Sequence, residues 1–350
     1  MGAPAELAGC QSTQWQSKMA RFHEIAPANI LYNSVMPQEA MDDVLEFGEG
    51  TVRRLIFDRN DAFDRTAPIQ LVVPRLVESR EYMRSIREFQ VPADALAIWF
   101  LGQNGFLLKD ASGPLIGIDL YLTNSCSECF AHLPFRVDRQ LPVFIEPEDL
   151  DIDVFITTHS HQDHADPETI RRVPKARGTR FLGPFDSMRI YRECGVPESA
   201  SRLLHPGERV RIGSTTLQTT FALPTDATDL NHTGVLLEFA NGTRFYNSGD
   251  TAYAERLTAL LPMDIDVCAI CINGGFHNLS PLQAATIVKA INPRVVVPCH
   301  YDMMVNNVGS PDALRMALDL LGCESKCLVL NYYEPWLYRR GKGSLDARYD

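Results

Sequence analysis

The chain has 350 residues, of which 45% are hydrophobic and 22% are charged, and its formal net charge is −11. This length suits one large globular domain with an appendage, or two domains. The acidic balance argues against a nucleic-acid-binding surface, which is normally basic. No apolar run reaches the length of a membrane span and the N-terminus has no signal-peptide pattern, so we expect a cytoplasmic protein with no membrane partner. The nine cysteines are then expected to be reduced thiols.

The first part of the chain has a helical sequence pattern, unlike the β-rich remainder. Residues 1–93 are predicted to form a mainly helical extension, with one helix over residues 37–48 and another over residues 74–89. Each helix has a proline near its start, where a missing N–H has no cost. We expect this extension to serve packing or homo-oligomerisation, and residues 94–350 to form the functional domain.

Short β-rich runs begin near residue 95. The runs at residues 97–101, 106–108 and 115–118 are separated by glycine-bearing turns, as in antiparallel strands. Asn241-Gly242, between two further apolar runs, is a strong hairpin signal. Helices are predicted to start at Pro167 and Pro281, and the buried strands over residues 152–156 and 295–297 are too short to be helices. Strands mixed with covering helices predict a layered α/β fold.

The sequence His159-Ser160-His161-Gln162-Asp163-His164 lies between a predicted strand and a helix capped by Asp166. Loops held by a rigid scaffold can bring ligands together around an ion. Imidazole and carboxylate groups are the usual ligands of zinc, manganese or iron in hydrolytic sites. Four such groups within six positions crowd a single ion, whereas two adjacent ions relieve the crowding. The motif therefore predicts a site for one or two divalent metal ions, zinc or manganese.

This motif after a hydrophobic strand resembles the signature of the metallo-β-lactamase superfamily. The resemblance implies a four-layer αββα fold (class α/β, α+β) with a dinuclear site. It further implies that Asp250, in Tyr246-Asn247-Ser248-Gly249-Asp250, bridges both metals and that His300 is the last ligand. Asp119 is similar to an early aspartate that orients a ligand from outside the metal site.

The chain departs from that family at one position, because the usual histidine between the first motif and the bridging aspartate is missing where it is expected. The stretch offers Asp226, Asp229 and His232. Asp226 directly follows a strand and is the preferred metal ligand. His232 opens the next strand and is the alternative third ligand, or else a substrate contact or a strand-end residue.

Residues 91–340 are similar to the L-ascorbate-6-phosphate lactonase branch of the superfamily. The resemblance implies a carboxylic ester hydrolase that opens a small sugar-acid lactone, phosphorylated or not, by attack of a metal-bound hydroxide. Asp163 and Asp250 are the expected catalytic residues. The alternative function is a metal-dependent phosphodiesterase or nuclease, which the superfamily also contains. A non-enzymatic scaffold is disfavoured because the ligand positions are present.

Four residues are predicted to bind the small-molecule substrate. Arg139 precedes the metal motif and could pair with a phosphate, although an ordinary solvated surface charge is the preferred interpretation. Asn273 and His277 lie between a strand and a helix, near where this family binds substrates, and a structural turn fits them equally well. His232 is the fourth.

Overall fold

The computed structural model describes residues 78–132, 136–305 and 307–340. It contains fourteen strands among these residues: β1 Ala95–Gly102, β2 Gly105–Asp110, β3 Ile116–Ile118, β4 Val154–Ile156, β5 Arg180–Gly183, β6 Ser201–Leu203, β7 Arg209–Ile212, β8 Thr215–Phe221, β9 Thr233–Glu238, β10 Arg244–Asn247, β11 Val267–Cys271, β12 Val295–Cys299, β13 Lys326–Cys327 and β14 Pro335–Arg339. The helices are α1 Ser79–Glu88, α2 Ser125–Cys129, α3 Pro167–Arg172, α4 Phe185–Glu193, α5 Pro281–Ile291 and α6 Pro311–Leu320. Short 3₁₀ turns cover Lys175–Arg177, Glu198–Ala200 and Glu255–Leu260.

The strands form two seven-stranded sheets of similar design. One has the order β14-β1-β2-β3-β4-β5-β6 and the other the order β13-β12-β11-β10-β9-β8-β7. Each sheet is antiparallel on one side, through β14 to β3 and through β7 to β10, and parallel on the other. Buried residues of both sheets join one hydrophobic core. The predicted αββα class is confirmed.

The carboxyl ends of the parallel strands determine where the predicted metal ligands lie. The central strands β4, β11 and β12 are buried throughout, as expected of strands covered on both faces. Their carboxyl ends lead into loops, and ligands in open α/β sheets bind outside such ends. The chain leaves β4 toward His159, β10 toward Asp250 and β12 toward His300, and each of the three is buried.

Local sequence signals account for the helix starts and the hairpins. Asp166 caps α3 by accepting from the Glu168 amide, and Ser280 forms a capping box with Gln283 at the start of α5. The hairpin predicted at Asn241-Gly242 is β9–β10, which is antiparallel, as is the hairpin β7–β8. These predictions are confirmed.

Helix α1 packs against the sheets. Its apolar side chains Met83 and Ile86 are buried in the common core. Arg87 donates to both carboxylate oxygens of Asp153 at 2.6 and 3.0 Å. The helix predicted over residues 74–89 is observed from Ser79, and its first residues lie outside the described part of the chain. The predicted helix over residues 37–48 also lies outside it, and the boundary at residue 93 stays a prediction.

No helix in the described ranges is long and apolar enough to cross a membrane. The eight cysteines within those ranges are free thiols, as expected.

Candidate metal centre

The histidine-rich loop is fixed at both ends. It leaves β4 through Thr157 and Thr158 and ends at Asp166, the cap of α3. Within it the amides of His164 and Ala165 both donate to the His161 carbonyl, at 3.0 and 2.8 Å, and form a tight turn. The predicted strand-to-helix placement is therefore confirmed. This turn directs the motif's side chains toward two clusters of ligand atoms, called here the first and second halves of the centre.

The first half consists of His159, His161 and His232, whose ligand atoms all lie within 4.8 Å of one another. His232 comes from the start of β9, 73 positions beyond His159. The Thr233 amide donates to the Thr158 carbonyl at 3.0 Å, and this bond sets the two histidines side by side with ring centroids 4.0 Å apart. His232 Nδ1 lies 2.9 Å from the Asp250 carbonyl oxygen. Because that oxygen only accepts, Nδ1 donates and Nε2 is left to face the cluster.

The sequence left the third ligand of this half open between Asp226, the preferred residue, and His232, and the cluster contains His232. Asp226 is absent from the metal-ligand clusters found among the described residues. Its Oδ1 accepts from the Thr228 amide at 2.6 Å and lies 3.4 Å from His161 Nε2. Asp226 is thus placed to orient the His161 ring from behind, as carboxylates often do for metal-binding histidines.

The second half consists of Asp163, His164 and His300, again within 4.8 Å of one another. His300 Nε2 lies 3.1 Å from Asp163 Oδ2, and His164 Nε2 lies 3.6 Å from the same oxygen. His300 has a left-handed backbone, with φ 57°, where the chain turns out of β12. The structure thus brings together two ligands of the motif and the C-terminal histidine that the resemblance implied as the last ligand.

Asp250 lies between the two halves. Its Oδ1 is 3.4 Å from His164 Nε2, and its Oδ2 is 3.3 Å from His300 Nε2. It also forms a cluster with His159 and His164. The Asn278 side chain donates to Oδ2 at 2.6 Å and fixes the carboxylate. This placement fits the bridging role that the resemblance implied.

The residues of the centre fit a divalent ion. The Nε2 atoms of His159, His164 and His232 and the Oδ1 atom of Asp250 are buried and have no hydrogen-bond partner among the described residues. Burying such polar atoms unpaired costs free energy. Imidazole and carboxylate groups are the donors that divalent transition metals accept, so bound ions would satisfy all four atoms.

The two halves differ in their electrostatics. Burial, followed by neighbouring imidazoles, holds the pKa of His159 and of His232 below the usual histidine value. Burial acts in the same direction on His300, but the carboxylates of Asp250 and Asp163 outweigh it and raise the pKa of His300 to about 9. Neutral imidazole is the form that binds metals. His159 and His232 of the first half are therefore ready for an ion, whereas carboxylates dominate the second half.

Asp119 supports His164 from outside the centre. It ends β3 with φ 45°, and its Oδ2 lies 2.8 Å from His164 Nδ1. It accepts from the Thr158 amide and hydroxyl at 2.7 and 2.6 Å and from Asn104 at 2.6 Å. The protein thereby fixes the ring orientation of His164, as the resemblance implied for this aspartate.

Gly249 allows the chain to pass close to this support. It has φ 57°, and a Cβ there would lie 2.8 Å from the Thr158 Cβ and 2.9 Å from the Thr233 carbonyl oxygen. Only glycine fits without a shift of that backbone. Gly249 therefore lets Asp250 reach the centre.

The predicted substrate contacts lie in different surroundings. Asn273 is buried and donates to Asn307 at 2.8 Å, while His277 is exposed in a left-handed turn with φ 65°. The Arg139 guanidinium donates to the carbonyl oxygens of Tyr121 and Leu141 and to the Tyr333 hydroxyl. Three of its five N–H groups are thus engaged with the protein. The substrate roles of these three residues stay predictions.

Two residues near the centre had no assigned role in the sequence analysis. Asn278 holds Asp250, and Gln103 donates to Asp163 Oδ2 at 2.6 Å. The signal for Gln103 was the turn Gly102-Gln103-Asn104-Gly105 between two strands, in which Gly102 and Gln103 both have positive φ. A side chain placed by so tight a turn is held in one position.

Residues 97–300 match the family model described as "Beta-lactamase superfamily domain". The match covers more than half of the chain and contains both halves of the centre. The chain belongs to the metallo-β-lactamase superfamily. It is a metal-dependent hydrolase by family, and the His and Asp clusters are those of a divalent-metal site.

Curated relatives and solved structures agree with this family. A UPF0173 metal-dependent hydrolase of Thermoplasma acidophilum is 27% identical over 171 residues, which are 48% of this chain and 74% of the relative. The structure of Igni18, a metallo hydrolase of Ignicoccus hospitalis, has a TM-score of 0.54 at 20% identity and covers 70% of this chain and 99% of its own. An isothiocyanate hydrolase from Delia radicum gut bacteria has a TM-score of 0.56 at 17% identity, covering 69% and 99%. At these identities the two structures support the fold alone.

Proposed function

We propose that this protein is a carboxylic ester hydrolase that opens a small sugar-acid lactone at a centre of two divalent ions. The observation that carries the proposal is Asp250 between two ligand clusters, in which Asp250 Oδ1 and the Nε2 atoms of His159, His164 and His232 are buried and have no hydrogen-bond partner among the described residues. His159, His161 and His232 would hold one ion, and Asp163, His164 and His300 the other. Three imidazoles suit zinc, and a set with carboxylates also suits manganese.

Bound divalent ions would lower the pKa of water and polarise the lactone carbonyl. Carboxylates of the protein would then orient the attacking water and transfer its proton to the leaving group. Asp250 is fixed by Asn278, and its side chain is only 6% exposed, whereas the Asp163 side chain is 17% exposed. Asp163 is therefore the group that substrate can reach, and we assign it the transfer of a proton to the leaving alkoxide. Asp250 orients the attacking water.

The substrate is best matched by a neutral lactone. The loop with Asn273 and His277 directly precedes Asn278, which contacts Asp250, and supplies polar groups beside the centre. Arg139, the candidate partner of a phosphate, has its guanidinium engaged by three protein oxygens. A neutral ring needs no cation, so it is compatible with this arrangement. The substrate would be a small molecule rather than a nucleic acid, in keeping with the formal charge of −11.

The test is hydrolysis by purified protein after metal analysis and reloading with Zn²⁺ or Mn²⁺. We would assay a sugar-acid lactone, the same lactone phosphorylated on its hydroxymethyl group, and bis(p-nitrophenyl) phosphate with one preparation. We expect ring opening that disappears with a chelator and in the variant Asp163→Asn. Cleavage of the phosphodiester with no lactone opened would overturn the proposal and favour a phosphodiesterase. Ring opening of the phosphorylated lactone alone would overturn the choice of a neutral substrate.

A further inference from the structure

The Gln103 side chain reaches the second half of the centre. Its Nε2 lies 2.6 Å from Asp163 Oδ2 and 3.0 Å from His300 Nε2. Those two ligand atoms are themselves 3.1 Å apart. The amide of Gln103 therefore donates to Asp163 and lies against the His300 ring, with Nε2 also 3.3 Å from His300 Nδ1, so it contacts two of the three residues expected to hold the second ion.

Gln103 is held there firmly. It is fully buried, and its carbonyl oxygen accepts from the His300 amide at 2.5 Å, which ties the two backbones together. Its own backbone has φ 53°, a conformation that is unfavourable for residues other than glycine, asparagine and aspartate. A residue kept in such a conformation beside a functional site is commonly one whose position matters.

The amide oxygen of Gln103 has no partner. Oε1 is buried and accepts no hydrogen bond from the described residues. An acceptor left unpaired in the interior is unfavourable. A half-turn of the amide would exchange Oε1 with Nε2 and direct the oxygen at Asp163 and His300.

A cation decides which orientation is favourable. Without one, Nε2 faces the Asp163 carboxylate because a donor is attracted to an anion. With an ion between Asp163 and His300, their lone pairs point at the ion, and an N–H group facing it would be repelled. An amide oxygen facing it would be attracted, and amide carbonyl oxygens are ligands of hard divalent cations.

We propose that Gln103 is a further ligand of the second ion and binds it through Oε1. The inference rests on the proposed two-ion function. With Asp163, His164, His300 and the shared Asp250, it would complete a mixed oxygen and nitrogen set. The neutral oxygen donor would raise the affinity of the second half for manganese without adding negative charge.

The test compares Gln103→Leu with Gln103→Glu. Leucine removes the oxygen at similar size, whereas glutamate keeps an oxygen in the same place and removes the N–H donor. Both lack the tolerance of asparagine for positive φ, so they share the same backbone strain. Gln90→Leu is the control, because Gln90 is exposed and bonds only the Glu88 carbonyl among the described contacts. The readout is Mn²⁺ affinity from electron paramagnetic resonance titration after the first half has been filled with one zinc per chain.

We expect Gln103→Leu to bind the second ion about 100-fold more weakly. Loss of a direct ligand should lower metal affinity at least as much as loss of a residue that only hydrogen-bonds to a ligand, which costs about 10- to 100-fold. Gln103→Glu should bind it at least as tightly as the wild type. Retention of the one zinc per chain would show that a variant is folded.

Two outcomes overturn the proposal for Gln103 alone. In one, Gln103→Leu keeps wild-type Mn²⁺ affinity. In the other, Gln103→Glu binds as weakly as Gln103→Leu, which would mean that Nε2 serves as a donor to Asp163. If Gln103→Leu does not fold, Gln103→Glu is compared with the wild type, and a weaker Mn²⁺ affinity than the wild type overturns the proposal. A wild-type protein that takes up a single ion under all conditions would overturn both this proposal and the two-ion centre.

Discussion

The two halves of the centre are built from different donors. The first half presents three imidazoles, from His159, His161 and His232, and the second presents Asp163 with two imidazoles. Burial keeps the pKa of His159 and His232 low, whereas Asp250 and Asp163 raise the pKa of His300. The first half therefore resembles a zinc site with three imidazole ligands, although burial of His161 is outweighed by Asp226, which raises the pKa of His161. The second half resembles a harder, oxygen-containing site.

The halves also differ in how they are supported. In the first half, His232 bonds a backbone carbonyl, and Asp226 stands 3.4 Å behind His161. In the second half, His164 is held by Asp119 at 2.8 Å, which is in turn held by Asn104. Bonds around a ligand set its direction and basicity, so the two ions should respond differently to changes around them.

The largest effect should come from removing a ligand of the first half. His232→Ala should abolish binding of the first ion and lower kcat/KM for lactone opening about 10³-fold, since ion-derived stabilisation of several kcal/mol is lost. Metal content per chain, measured by mass spectrometry, should fall from two to one while the second ion stays. Two ions retained in this variant would contradict the assignment of His232.

Asp119 tests the support of the second half. Asp119→Asn keeps the shape but removes the charge beside His164 Nδ1. We expect affinity for the second ion to fall about 10- to 100-fold, with the first ion unchanged. Competition with a chromogenic chelator would measure both affinities. A uniform loss of both ions would instead mean that Asp119 supports the loop as a whole, because it also accepts from Thr158.

The ligands of the two halves also differ in how far the sequence could predict them. His159, His161, Asp163 and His164 follow one strand and precede a capped helix, so their meeting depends on local structure. Asp250 and His300 also follow strands, and the family resemblance identified them as expected metal ligands.

His232 could not be identified in the same way. It comes to His159 only because the start of β9 bonds the Thr158 carbonyl, a contact between distant parts of the chain. Asp226 was preferred because it directly follows a strand, whereas the cluster of ligand atoms in the structure contains His232. Gln103 was missed because an amide belongs to no common metal-binding pattern.

Asp226 offers a milder change in the first half. Asp226→Asn should leave two ions bound and lower the affinity of the first about 10-fold, because it acts on His161 and not on the ion. The same competition assay with a chelator applies. His232→Ala serves as the comparison: a loss of the first ion in Asp226→Asn as complete as in His232→Ala would restore Asp226 as the ligand.

The smallest effect should lie outside both halves, at the contact between α1 and the sheets. Arg87→Met removes the ion pair with Asp153, whose carboxylate also accepts from the Leu115 amide at 2.8 Å. Both side chains of the pair are 39% exposed, so we expect a loss of only about 1 kcal/mol in the free energy of unfolding. Arg84→Met, at an exposed position of the same helix, is the control.

The contribution of this ion pair should depend on pH in a defined direction. Burial opposes ionisation of Asp153, but Arg87 and the Leu115 amide outweigh it and hold the pKa of Asp153 below its usual value. A carboxyl group whose pKa is lowered by folding stabilises the protein above its unfolded pKa of about 3.9. That stabilisation is lost as the pH falls through the folded value. Urea unfolding should therefore separate Arg87→Met from Arg84→Met at pH 7, and the difference should shrink below about pH 4. A difference that stays constant over this range would assign the effect of Arg87 to packing of its side chain and not to its charge.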